Sequence, residues 1–398
     1  MAPDRDGNDQ SHVVSLVLAE ETVTTNTTSA PPLPTLPFDL VAETLCRLPV
    51  KLLIQLRCLC KSFISLVSDP KFAKKHLRMS NTHHRLMVSS TNDFDELVLF
   101  DSPIPSDSPT FTINQTQLSY PDCLKIEYTS PLFSRSCDGI ICFTMFNNRV
   151  VSPPILWNPS IRAFKILPPL DNKSPSAYSF GYDHCIDKYK IVAVSLVEDE
   201  NQVNVGNRKE VSVHTLGTDT WRRIPDFPYC SRFFCWYGIF VSGTINWLPI
   251  VDVSSSRFLV SLDLEKESFQ KLSLPDFEKD PSKTTLGVLR DCLCIFARVD
   301  MLLDVWAMKE YGNKESWTRL YRVPHMEHRG LCNYYRALYI SDDEQLLMDF
   351  AKLDLYKSKK LVVYDSKDGT LEIPEIQNIG GGWMDPKVYI ESLISPCS

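Results

Sequence analysis

The feature that most restricts what this chain can become is a proline-terminated motif that returns about every 50 residues. Five segments match one another: ILWNPSIRAFKILP, VSVHTLGTDTWRRIP, FLVSLDLEKESFQKLSLP, LLDVWAMKEYGNKESWTRLYRVP and LVVYDSKDGTLEIP. They end at Pro168, Pro225, Pro275, Pro324 and Pro374, in steps of 57, 50, 49 and 50 residues. Each reads as an alternating apolar run, a polar turn, a second run and a stop, which is the pattern of a hairpin. Ahead of four of them lies another β-type pair, as in SCDGIICF, FGYDHCIDKYKIVAV, IFVSGTINWLPI and GVLRDCLCIFARV, and RLMVSSTNDFDELVLF looks like a weaker first copy.

A unit of about 50 residues with three or four strands cannot bury both faces by itself, so its copies must stack on one another. That period is the period of a kelch-type propeller blade, and five or six blades follow from the repeats. The expected fold is therefore an all-β, kelch-like β-propeller over residues 85–398. The alternative is a twisted β-sandwich in which the proline spacing is accidental. Fourteen glycines are few for kelch blades, and no Gly-Gly pair returns in each repeat.

The region before the repeats is built differently. Residues 1–34, including TVTTNTTSAPPLP, hold too few apolar side chains to offset the entropy of ordering and are expected to form a disordered tail. Residues 35–80 are expected to be a small α-helical unit. Pro37 suits a first helical position, and Phe38, Val41, Leu45 and Leu48 fall on one stripe. Leu48-Pro49 ends that helix, because a residue before proline is pushed out of helical backbone geometry. The next stretch, KLLIQLRCLCKSF, is apolar on two sides, with Leu52, Leu56, Leu59 and Phe63 in one row and Leu53, Leu56 and Cys60 in another. Asp69-Pro70 reads as a cap and first-turn proline opening a last short helix. At about 42 residues such a unit has a marginal core. Its surplus apolar row is expected to face either a partner protein or the β domain.

Charge and cysteine usage narrow the functional classes. The net charge is -7, so there is no overall pull toward phosphates, although residues 36–78 carry eight Lys/Arg against three Asp/Glu. That basic segment reads as a solvated helix face. The thirteen cysteines are odd in number and scattered, as expected of core thiols in a reduced compartment. With no secretory signal pattern and no apolar run near the roughly 20 residues of a membrane helix, a cytoplasmic or nuclear protein is expected, without nucleic-acid or membrane partners.

The sequence holds no C-x-x-C, H-E-x-x-H or G-x-S-x-G motif, and IGGGW at Ile379 to Trp383 lacks the residues of a phosphate loop. His325, His328 and Cys332 have workable metal-ligand spacing, but read more simply as an ordinary loop. Glu127 and Asp183 can be named as carboxylates without an identifiable pair. Asp342-Asp343-Glu344 reads as a charged turn. Trp157, Trp221, Trp247, Trp306 and Trp317 fall in or beside repeat strands and are expected in blade cores. No catalytic residue, metal or cofactor is expected.

LPFDLVAETLCRLPVK, LRCLCKSF and VSDPKFAKKHL together resemble an F-box. The ordered set SCDGIICF, LWNPSIRAF, FGYDHCIDKYKIV, GIFVSGTINWL, SLDLEKESF, LDVWAMKEYGNKESW and YIESLISP resembles the F-box-associated domain of the plant F-box/kelch-repeat family. The resemblance spans residues 36–396. It implies a non-catalytic substrate-recognition subunit of an SCF-type ubiquitin ligase, whose helices dock on a Skp-family adaptor and thereby join a cullin-RING ligase, while the β domain holds a target protein. Carried over by position, adaptor contacts would come from Leu36, Pro37, Val41, Leu45, Leu48, Pro49, Val50, Leu53 and Leu56, with Cys60 near the edge. Phe63 stands where the family commonly has Trp, and Gln55 where a basic residue is common. For the target, two aromatic- and arginine-bearing stretches are candidates because such residues anchor interfaces. One holds Arg232, Phe233, Phe234 and Trp236; the other holds Arg329, Tyr334, Tyr335 and Arg336. The plainer alternative makes them strand core. The competing functional class is a propeller lectin or enzyme with vestigial F-box helices.

Overall fold

The structure, a computed structural model, describes residues 38–79, 84–91, 97–104, 112–113, 116–118, 130–147, 150–170, 175–197, 208–228, 237–249, 257–324, 334–351, 359–376 and 385–397. The tail expected over residues 1–34, together with Leu36 and Pro37, lies outside them.

Four helices come first: α1 (Phe38–Leu45), α2 (Val50–Leu56), α3 (Lys61–Ser68) and α4 (Pro70–Met79). The Leu48-Pro49 break falls where the proline argument puts it. The Asp69 side chain accepts a hydrogen bond from the Lys71 amide at 2.8 Å, capping α4 at its first-turn proline. The KLLIQLRCLCKSF stretch is not one helix, however. It is broken between Arg57 and Cys60, whose φ of -159° and ψ of 165° are fully extended. The expected row Leu52, Leu56, Leu59, Phe63 is split accordingly: Leu52 and Leu59 point outward, while Phe63 is buried.

The rest is β-structure in six blades. In the second to sixth, the strands follow one another outward from the ring centre. The second holds Ser130–Cys137, Ile140–Asn147, Ile155–Asn158 and Ala163–Ile166, with Val150–Val151 as an added pair, and the third holds Pro175–Asp183, Lys188–Val197, Arg208–Thr215 and Trp221–Ile224. The fourth holds Ile239–Val241, Thr244–Trp247, Phe258–Asp263 and Ser268–Ser273. The fifth holds Lys283–Leu289, Cys292–Val299, Leu302–Met308 and Trp317–Pro324, and the sixth Tyr334–Ile340, Gln345–Ala351, Lys359–Asp365 and Leu371–Glu372. The five matching sequence segments are thus the outer hairpins of these five blades.

The first blade closes the ring. Its order is Asp385–Ile390, His84–Thr91, Leu97–Pro103, Thr116–Leu118, so the last strand of the chain takes the innermost place beside the first strand. The innermost strands of successive blades adjoin one another all the way round. A closed ring of six sheets excludes the twisted sandwich, because each innermost strand is flanked around the centre by those of both neighbouring blades.

Blade-to-blade packing uses the tryptophans. Trp157, Trp247 and Trp317 are buried, and Trp221 and Trp306 are half-buried. Trp221 and Trp317 open the outermost strands of the third and fifth blades, and each indole N–H reaches back to the exit of the preceding blade. One donates to the Pro168 carbonyl at 2.9 Å and the other to the Ser273 carbonyl at 3.0 Å. The cysteine expectation holds only in part: Cys46, Cys137, Cys142 and Cys294 are buried thiols, while Cys58, Cys185 and Cys397 are exposed.

Strand direction gives the ring two unlike faces. Innermost strands of the second, fourth and fifth blades end in two-residue turns at Asp138-Gly139, Ser242-Gly243 and Arg290-Asp291, with both residues at positive φ. Such turns match the right-handed twist of the flanking strands, so the hairpins are short. The described connection from the fourth blade's outermost strand to the fifth blade's innermost strand, residues 274–282, emerges on the opposite face.

Candidate functional site

The helical unit sits on the tight-turn face. Lys74 of α4 forms an ion pair with Asp187 in the turn joining the first two strands of the third blade, and its ammonium lies 3.4 Å from the Tyr182 hydroxyl. Helix residues Leu45, Leu53, Phe63, Val67, Phe72 and Ala73 belong to one continuous buried cluster with Cys137, Ile140, Tyr178 and Tyr189 of the second and third blades. His76 of α4 is buried and donates from Nε2 to the Leu48 carbonyl at 2.8 Å, which holds α4 against the α1–α2 junction.

The residues carried over as adaptor contacts divide in two. Val41, Leu45, Val50 and Leu53 are interior to the chain, at 9%, 8%, 3% and 0% exposure. Leu48, Leu56 and Cys60 are half-buried, and Pro49 is exposed. What the helices show to solvent instead is a second apolar set: Leu40, Leu52, Leu59 and Ile64, exposed by 54%, 46%, 68% and 43%. Four large aliphatic side chains held open on so small a unit are the unpartnered surface that the size argument requires. Leu52 and Leu59 were legible as members of an apolar row; Leu40 and Ile64 were not, because position alone does not say which stripe the bundle consumes.

Of the residues named in the two stretches chosen for aromatic and arginine content, Tyr334, Tyr335 and Arg336 are described. Arg232, Phe233, Phe234, Trp236 and Arg329 fall outside the described residues. Tyr334 and Tyr335 open the innermost strand of the sixth blade. Arg336 follows them and pairs with Asp349 at 2.8 Å, with Asp385 of the first blade at 4.0 Å. Its charge is therefore engaged within the ring.

Residues considered for chemistry have structural occupations. Asp183 is buried beside Lys190 at 2.8 Å and accepts the Cys185 amide at 2.9 Å. Burial would raise its pKa, but those hydrogen bonds outweigh burial and hold it below the ordinary carboxylate range. Asp342-Asp343-Glu344 is the turn between the first two strands of the sixth blade. Glu127, His325, His328 and Cys332 lie outside the described residues. Among the described residues no group of three or more His, Cys, Asp or Glu is placed to hold a metal ion, and no helix is long and apolar enough to cross a membrane.

Comparison with known proteins agrees with this architecture. The model of the F-box domain matches residues 33–75, and that of the F-box associated beta propeller domain matches residues 86–396. An F-box/kelch-repeat protein of Arabidopsis thaliana is 29% identical over 381 residues, covering 91% of this chain and 96% of that protein. The F-box protein CPR1 of the same plant is 27% identical over 392 residues, covering 91% and 89%. Tight-turn face, seated helices and ring closure thus occur in a chain that belongs to the plant F-box proteins carrying an F-box-associated β-propeller domain.

Proposed function

We propose that this protein is a non-catalytic substrate-recognition subunit of an SCF-type ubiquitin ligase, working in the cytoplasm or nucleus. Its helical unit docks on a Skp-family adaptor, which links it to a cullin-RING ligase, and its loop face binds a target protein for ubiquitination. The observation that carries the reading is the open apolar set Leu40, Leu52, Leu59 and Ile64 on a helical unit whose other apolar face is already buried.

Burying an aliphatic side chain contributes about 1.5–3 kcal/mol, so a handful of such contacts supports a stable complex after association costs. Of the carried-over contacts that are described, Pro49 and the half-buried Leu48, Leu56 and Cys60 remain available. Val41, Leu45, Val50 and Leu53 would act from beneath, by holding the docking side chains in place. A target held on the face opposite the helices would be presented away from the adaptor, with the propeller as a spacer.

The test is capture of purified full-length protein by a plant Skp-family adaptor, with residues 85–398 alone as control. Binding by the full chain and not by the control supports the reading. Binding by neither overturns it.

A further inference from the structure

Three segments far apart in sequence meet beneath the second blade: the Asp138-Gly139 turn, the Asn158-Pro159-Ser160 turn, and residues 391–397 that follow the closing strand. Asn158 is fully buried, and its side-chain amide donates to the Ser392 carbonyl at 3.1 Å, the Ser392 hydroxyl at 3.0 Å and the Ile394 carbonyl at 2.8 Å. Its carbonyl oxygen accepts the Ser160 amide at 2.9 Å, fixing the rotamer. The Ser392 hydroxyl donates in turn to the Asp138 carbonyl at 2.6 Å. The approach is close enough that a Cβ on Gly139 would lie 2.4 Å from the Ser392 hydroxyl oxygen and 2.6 Å from the Ile390 carbonyl oxygen.

The two residues after this anchor are apolar and buried. Leu393 and Ile394 are each 4% exposed, and they lie in the same continuous cluster as Leu53, Phe63, Phe72 and Ala73 of the helices. The tail therefore leaves the innermost strand of the first blade, is pinned by polar contacts to the second, and ends within the apolar bed that the helices share. Polar pinning and apolar burial act on successive residues, so one cannot be lost without loosening the other.

We infer that residues 391–396 are a strap that seats the helical unit on the propeller, so that the segment following the ring's closing strand also fixes the helices. The angle between helices and ring is then set by the tail, with the Lys74–Asp187 pair as a second clamp. The inference concerns the chain alone and stands whether or not the helices bind an adaptor.

Hydrogen-deuterium exchange on the full chain tests it, comparing the unaltered protein with Asn158→Ala and Ile394→Asp. Residues 61–79 should exchange about tenfold faster or more in both variants, because local opening governs their protection, while Lys188–Val197 and Cys292–Val299 keep theirs. Unchanged protection of residues 61–79 in Ile394→Asp would overturn the strap. So would an equal loss across all six blades, which would assign the tail to ring closure alone.

Discussion

Lys190, in the second strand of the third blade, holds its ammonium 3.0 Å from the Glu267 carboxylate of the fourth. The lysine is only 4% exposed; Asp183 lies 2.8 Å away, and the Leu264 carbonyl accepts its proton at 2.6 Å. It is a charged bolt between neighbouring blades. Removing one member of a buried pair leaves the other uncompensated, so Lys190→Ala should cost about 3–5 kcal/mol in urea unfolding. Lys190→Met, which keeps the volume, should cost the same or less. Burial raises the pKa of both carboxylates, but hydrogen bonds from Lys190 to both, and from Arg222 to Glu267, outweigh it and lower them. A depressed carboxylate contributes stability that is complete above its unfolded pKa of about 4 and is lost as pH falls below it. The gap between the unaltered protein and Lys190→Ala should therefore narrow below about pH 4.

Gly139 and Gly312 share nearly the same backbone, with φ of +81° and +84°, but not the same surroundings. A Cβ at Gly312 meets nothing within 4 Å, so Gly312→Ala should cost only the left-handed penalty of about 1–2 kcal/mol. At Gly139 the same methyl strikes the tail, and overpacking adds about 1–3 kcal/mol. Thermal melts of the two alanine variants should differ in that order. Equal melting temperatures would mean that the tail yields freely.

For adaptor capture, the exposed pair Leu52 and Leu59 should matter most directly. Leu52→Asp with Leu59→Asp should weaken capture by tenfold or more, about 1.4 kcal/mol at the least, without altering the melting temperature. Leu53→Asp should abolish capture too, but by unfolding the helical unit, since that position is fully buried. Circular dichroism on each variant separates the two causes.

His214, at the junction of the second and third blades, is buried against Trp221, with ring centroids 5.2 Å apart, and neither ring nitrogen hydrogen-bonds with good geometry among the described residues. Burial lowers its pKa and nearby Lys165 adds to that, while the Thr218 backbone and Asp219 oppose. The folded state thus refuses a proton that the unfolded chain accepts below about pH 6.5, so stability should fall as pH drops from there. One proton sets a limiting slope of about 1.4 kcal/mol per pH unit. His214→Phe should flatten the pH 5 to 7 limb of a urea-midpoint profile, and an unchanged slope would place the acid sensitivity elsewhere.

How much was legible can be judged at particular residues. The hairpin reading needs only period-2 alternation, a polar turn and a closing proline, all local, and so every outer hairpin from Ile155 to Glu372 was found where the pattern put it. Likewise Leu48-Pro49 and Asp69-Pro70 act through backbone geometry within a residue or two, and both mark real helix boundaries. The split at Cys60 escaped because KLLIQLRCLCKSF contains no breaker, although its backbone is extended there.

The candidate site was less legible for the same reason. Sequence by itself determined that the helical segment carries two apolar rows, that about 50-residue units stack, and to which family the chain is similar. Only the tertiary structure decided which row is consumed: Leu53 goes inward, into the buried cluster that the helices share with the propeller and with Leu393 and Ile394, and Leu52 outward. It also decided that Asn158 meets Ser392. Those are relations between residues hundreds of positions apart, and no local propensity encodes them; they follow from closing six twisted sheets into one ring with the last strand beside the first.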